Sequence, residues 1–255
     1  MFPGSLFEEY ERRTPRSKEL FKMALKYSPS GVSHNIRYFR PYPFFVERGH
    51  GSRLIDIDGN AYTDYWMVHM SAILGHAHPE VIAAVSQQIS KGFHYGTANQ
   101  LSVDLADAIC KNLPSGEMVR FCNSGMEATN YAVRLARGYT DRKIILKMIG
   151  GWHGGNELQV AVTPPFDKPE SKGILEEQAK FIVAVPFNDI SGTSSIAKKY
   201  KGQVAGIIVE PVLGAGGCGP AEKNYLQAKN VEDKIRCLEE MIRVAPKHKS
   251  SENLL

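Results

Sequence analysis

The chain has 255 residues, 43% hydrophobic and 23% charged, enough to bury a sizeable core in an ordinary globular composition. Its 31 Lys plus Arg against 27 Asp plus Glu leave a net +4 that is spread along the chain, which argues against a nucleic-acid stripe or a polybasic membrane patch. Four cysteines without C-x-x-C spacing argue against a zinc site or disulfide framework. The charged N-terminus and the lack of a long apolar run argue against a signal peptide and a membrane span, so the expected address is the cytoplasm.

In chain order, residues 5–27 predict helix interrupted near Pro15, with Leu20, Phe21, Ala24 and Leu25 at helical spacing. Residues 44–66 predict short strands joined by turns, with Asp58-Gly59-Asn60 as a hairpin signal. Helices are expected at 79–91, 101–112, 125–138 and 190–200, and strands at 117–122, 143–149, 181–186 and 204–210. The strands are apolar runs without in/out alternation, the pattern of a parallel sheet covered on both faces. Such sheets bind ligands at the carboxyl ends of their strands. Residues 228–255 are charge-dense, with a helical stripe of Val231, Ile235, Leu238 and Ile242 and then a basic tail.

Five stretches are candidates for chemistry. Asn123-Ser124-Gly125 joins an expected strand to an expected helix, and it reads either as a simple N-cap or as a cup for a phosphate. Trp152 and His153 stand among four glycines in GGWHGGN, residues 150–156, after the strand KIILKMI. They offer an aromatic plate and an imidazole at a cleft, or else a flexible loop with one buried Trp. Gly214, Gly216 and Gly219 formally spell G-x-G-x-x-G, but Glu210-Pro211-Val212-Leu213 separates them from the strand, which argues against a dinucleotide fingerprint. His76 and His78 lack further ligands at metal spacing and read as a structured turn. Arg37, amid aromatics, reads as a solvated or stacked cation or as a carboxylate contact.

Taken together, NSGMEATNYAVRLARGYTDR, GGWHGGN and GIIVEPVLGAGGCGP resemble the class III pyridoxal-phosphate aminotransferases. GVSHNIRYF, LIDIDGNAYTDYW and ILGHAHPEV resemble the branch around glutamate-1-semialdehyde aminomutase. The resemblance spans residues 5 to about 228. It implies an α/β chain with an incomplete fold type I, aspartate-aminotransferase-like large domain, a mostly parallel sheet and an N-terminal helix and hairpin segment. Residues 1–66 would then be part of the small domain, 67–228 the cofactor-binding domain and 229–255 a divergent charged helical tail. The cofactor would be pyridoxal 5'-phosphate (PLP), with Ser124, Gly125 and Met126 cradling its phosphate, Trp152 stacking on the ring, and His153 and Glu210 beside it. Arg37 would hold the carboxylate of a small-molecule amino acid substrate, and the family implies a homodimer.

Met126 stands where the family has Thr or Ser, which removes a hydroxyl but keeps the backbone N–H. Val68-His69-Met70 replaces a Ser-Trp-Gly of the branch, so aminomutase and transaminase readings both stay open. The resemblance also implies a ring-nitrogen Asp and a Schiff-base Lys, the latter about 60 residues beyond the glutamate, whereas 45 residues follow Glu210. No catalytic residue is therefore assigned, and the chain alone is expected to be inactive. It would be an enzyme completed from elsewhere, a cofactor-holding or interaction subunit, or a non-functional fragment. Exposed apolar surface and self-association are expected of such a chain.

Overall fold

The computed structural model describes residues 4–113 and 116–226, which fall into two compact units divided at Thr97/Ala98. The expected stripe at Val231, Ile235, Leu238 and Ile242, and the tail that carries it, lie outside the described residues.

In the first unit, α1 (Gly4–Arg13) and α2 (Pro15–Ala24) are separate helices, because Pro15 lacks an N–H and favours a first-turn position. Three antiparallel strands follow, β1 (Val46–His50), β2 (Arg53–Asp56) and β3 (Ala61–Thr63), with the Asp58-Gly59-Asn60 turn between β2 and β3. That turn also caps α2. The Asp58 carboxylate accepts from the N–H groups of Arg16 (2.7 Å) and Ser17 (3.0 Å) and from Ser17 Oγ (2.7 Å), supplying acceptors that Thr14 does not. The four-residue turn α3 (Met67–Met70) is not a regular helix, since Val68 and His69 carry φ of 54° and 56°. Helix α4 (Pro79–Ile89) completes the unit. His76 is held by Asp64, with Nε2–Oδ2 2.7 Å, while His78 precedes α4.

The second unit contains α5 (Gln100–Asn112), α6 (Gly125–Thr140), β4 (Ile144–Met148), a helical turn α7 (Glu176–Ala179), β5 (Ile182–Val185), α8 (Ile190–Lys199) and β6 (Val204–Ile208). A short hairpin of β7 (Val212–Leu213) and β8 (Gly219–Pro220) and a final turn α9 (Lys223–Leu226) close the described chain. Strands β5-β4-β6 form a parallel sheet with β4 in the centre, in register Ile145↔Ile182 and Leu146↔Ile207.

Alternate residues of β4 enter two cores. Ile144, Leu146 and Met148 pack with Val185, Ala197 and Ile207 on one face, and Ile145 packs with Val133, Ala136 and Leu158 on the other. Both faces are covered, which is why the run shows no polar alternation.

The strand expected at 117–122 does not form. The segment is irregular, with Met118 68% and Phe121 45% exposed. No described strand pairs with it, and a lone extended segment has no ladder to satisfy its backbone. Residues 214–218 are the tip of the β7–β8 hairpin and Gly219 opens β8, so the glycines do not form a strand-to-helix turn.

Candidate cofactor site

The site is built at the carboxyl ends of β4 and β6. Helix α6 starts at Gly125, with Ser124 as its N-cap. The Ser124 side chain accepts from Glu127 N–H at 3.2 Å, and Glu127 Oε2 reaches back to Asn123 N–H at 2.6 Å. This is the reciprocal logic of a capping box, shifted by one residue. It leaves the N–H groups of Gly125 and Met126 without an acceptor among the described residues, at the positive end of a 16-residue helix. A Cβ added at Gly125 would meet nothing within 4 Å, so the space in front of this turn is open.

The loop after β4 comes back onto the start of that helix. Gly154, at φ +99°, lies so close to Met126 that an added Cβ would be 2.8 Å from its Cβ and Cγ. Only glycine combines that backbone with that contact. Thr129 Oγ1 on α6 donates to His153 O (2.8 Å), and Asn156 Nδ2 donates to Asn130 Oδ1 (2.7 Å). At the far end of α6, Arg137 pairs with Glu157 (Nη1–Oε1 2.7 Å) and donates from Nε to Lys143 O (3.0 Å). One helix therefore orders both ends of the loop.

Glu210 follows β6. Its carboxylate accepts from Trp152 N–H at 2.6 Å and from Gly214 N–H at 3.1 Å, tying the loop after β4 to the loop after β6. Trp152 is 43% exposed, and its backbone is held although its indole is free to meet a ligand. His153 is 7% exposed, and its Nε2 is buried without a hydrogen-bond partner among the described residues. Burial, and after it the nearby Lys147 cation, depresses its pKa to about 4 against the opposite pull of Glu210, so the ring is neutral at pH 7.

Lys147 is the residue that sequence reasoning missed. It is fully buried, on the same face of β4 as Ile145, and Nζ donates to Gly151 O at 2.8 Å and Val160 O at 2.5 Å. Burial lowers its pKa to about 8, opposed by Glu170 and Glu210. A lysine inside an otherwise apolar strand run was the available signal.

The structure thus brings Ser124, Gly125, Met126, Trp152, His153 and Glu210 into one connected cluster. Arg37 belongs to the first unit, where it ends the 3-10 turn Asn35–Arg37, is exposed, and donates from Nη1 to Ser33 Oγ at 2.7 Å.

Comparison with known proteins gives a consistent result. The profile of the family described as aminotransferase class-III matches residues 37–232. Glutamate-1-semialdehyde 2,1-aminomutase of Methanopyrus kandleri is 41% identical over 86% of this chain and 52% of its own length. Among solved structures, an omega-transaminase from Sphaerobacter thermophilus superposes with a TM-score of 0.82 at 29% identity, covering 88% of this chain and 53% of that one. A structure described as a transaminase with PLP bound gives a TM-score of 0.81 at 32% identity, covering 84% of this chain and 51% of that one. The chain spans about half the length of the curated relatives it matches.

Proposed function

The chain belongs to the class III aminotransferase family, and on that premise we propose that the cluster on α6, the Gly150–Asn156 loop and Glu210 is a site for pyridoxal 5'-phosphate. One observation carries the reading. Two N–H groups at a helix N-terminus, without an acceptor among the described residues, face open space, beside a loop that carries a half-exposed indole and a buried imidazole nitrogen with no partner among those residues. The Gly125 and Met126 N–H groups and the Ser124 hydroxyl would take the phosphate. The Trp152 indole would lie against the ring, and His153 Nε2 would find its missing partner among the polar groups of the bound ligand. The residues present fit the group.

Bound PLP would supply the electron sink that amino-group transfer requires. What this chain's residues do is bind and orient. The helix terminus places the phosphate, Glu210 fixes the loop that carries Trp152, and the neutral His153 offers a hydrogen bond without adding charge. Arg37 is the proposed contact for a substrate carboxylate, and an amino acid that carries one is the proposed substrate. We read residues 1–66 as small-domain structure and 67–228 as the cofactor domain, within a homodimeric transaminase or aminomutase.

The lysine in the cluster, Lys147, has its amine engaged by two carbonyls. On this reading it forms no adduct, and the chain by itself does not complete the reaction. Saturable, one-to-one PLP binding displaced by inorganic phosphate, followed by borohydride reduction and peptide mapping, tests this. Binding without a stoichiometric lysine adduct supports it, and a single adduct on Lys147 overturns the inactive reading.

A second reading, a non-catalytic subunit that works against another polypeptide, is favoured by the two helices α4 and α5. No described side chain of either is buried, and Val81, Ile82, Val85 and Ile89 on α4 and Leu101, Val103 and Leu105 on α5 are each about half exposed.

A further inference from the structure

We infer that Lys147 is a positioning residue that clamps the base of the Gly151–Val160 loop and thereby fixes Trp152 and His153 at the carboxyl edge of the sheet. This inference rests on the cofactor reading of that loop for its functional meaning, although the clamp itself is made entirely by the chain's own residues.

The geometry is specific. Lys147 sits one residue before the end of the central strand, has no solvent exposure, and lies on the face of β4 covered by α6. Its stem runs along the apolar core, and its amine emerges between the two strands of backbone at which the loop leaves and returns. Gly151 O lies on the outgoing side and Val160 O on the returning side, and both accept from the same nitrogen. The adjoining bond from Gly150 N–H to Ala161 O, at 2.9 Å, closes the same neck.

An apolar side chain at this position would take this donor from the buried Gly151 carbonyl and the part-buried Val160 carbonyl, with the larger local penalty at Gly151. A lysine buried for packing alone would be a poor choice, since desolvating its charge is costly. The groups whose fields act on it are Glu170 and Glu210, which favour its proton, and His153, whose ring is kept neutral beside it.

The clamp does not depend on the charge. An ammonium has three donors and a neutral amine has two, while two carbonyls are to be satisfied. The neck therefore stays closed when Lys147 loses its proton, unlike a salt bridge, which would open. Three sets of anchors then define the loop: Lys147 at its base, Glu210 at Trp152, and Thr129, Asn130 and Arg137 on α6 along its length. Only the first is an interior side chain of the sheet, so it couples the loop to the most buried part of the unit.

The test compares hydrogen exchange and PLP binding in the whole chain and in Lys147→Met. Loss of the clamp should accelerate exchange at the Gly150 and Trp152 amides by about ten-fold or more, with Leu146 and Ala205 unchanged. It should also weaken PLP by about ten-fold. Lys147→Arg, which keeps donors, should recover part of both effects. Unchanged loop exchange overturns the proposal, as does an equal loss of protection at Leu146 and Ala205, which would mark a merely structural residue. PLP binding equally tight in both chains while loop exchange differs also overturns it. If neither chain binds PLP but the loop amides respond as stated, the clamp stands and the cofactor reading fails.

Should Lys147→Met not fold, the unsubstituted chain still decides. Nitrogen-15 lysine spectra at pH 7 should show one Nζ whose protons exchange much more slowly than those of surface lysines, coupled across hydrogen bonds to the Gly151 and Val160 carbonyl carbons. A Lys147 Nζ that exchanges like the surface lysines overturns the proposal.

Discussion

Gly154→Ala perturbs the contact on which the site's shape depends. At Gly154 the backbone has φ +99°, a region that costs a residue with a Cβ about 1–3 kcal/mol. The new Cβ would lie 2.8 Å from Met126 Cβ and Cγ and 3.0 Å from its Cα. These are separations that force a shift of backbone, and overpacking of this kind costs about 1–3 kcal/mol. The two contributions act on the same bond rotations and partly relieve each other, so about 2–4 kcal/mol of lost stability is expected. Equilibrium urea unfolding of the whole chain, followed by far-ultraviolet circular dichroism at unchanged slope, measures it. Met126→Ala in the same chain removes only the Cγ contact and leaves Cα and Cβ in place, so it should recover less than half of the loss. A Gly154→Ala chain within about 0.5 kcal/mol of the parent would refute the reasoning, and so would full recovery in the double variant.

Other consequences follow from the same geometry. The Lys147 pKa is about 8 in the folded chain, against 10.5 for a lysine freely exposed to water. Between those pH values the unfolded chain holds a proton that the folded chain has released. The residue's contribution to stability therefore rises with pH across that window, by up to about 3 kcal/mol. Urea midpoints at pH 7.5, 8.5 and 9.5, taken as the difference between the parent chain and Lys147→Met, should show that rise, and a flat difference would contradict it.

Burial pulls the Asp58 carboxyl upward, but its bonds from Ser17 and Arg16 outweigh this and hold it below the usual carboxylate range. Its stabilising effect is present above the unfolded-state value and is lost as pH falls through the folded one. Asp58→Ala should cost about 1 kcal/mol at pH 7, less at pH 3, in the same unfolding assay. Glu210→Gln leaves one amide N–H₂ facing a backbone donor, either Trp152 or Gly214. Exchange at one of those two amides should speed up by about ten-fold, and unaltered exchange at both would show that the carboxylate does not hold the loop.

Much of this structure was legible in the residues, for physical reasons that differ by element. The break at Pro15, the turn at Asp58-Gly59-Asn60 and the start of α6 after Ser124 are local signals, set by a missing N–H, a permissive turn and a side-chain cap. The buried strands β4, β5 and β6 were visible as apolar runs because both faces of the sheet are covered. The segment 117–122 has a similar composition but no described pairing partner, and propensity without a neighbour does not make a strand.

At the site, the turn and the aromatic loop could be singled out from glycine, serine and tryptophan placement. Their mutual packing could not, because Gly154 on Met126 and Thr129 on His153 are contacts between segments more than twenty residues apart. Lys147 was hidden for the opposite reason. Its neighbours in sequence read as core, and only the course of the loop shows why a cation belongs there. The left-handed turn at Val68 and His69 gave no warning either, since neither residue favours positive φ.

The most direct measurement is the affinity of PLP for Gly125→Pro compared with the parent chain. Proline suits the first helical position, and Ser124 before it is already extended at ψ 158°. The helix should therefore persist, as an unchanged urea midpoint would confirm. The substitution removes one of the two N–H groups that lack an acceptor among the described residues and puts a ring into the open space in front of the turn. If the α6 terminus holds the phosphate, PLP affinity should fall by about ten-fold or more, with the fold intact. Unimpaired binding in a fully folded Gly125→Pro chain would contradict the account.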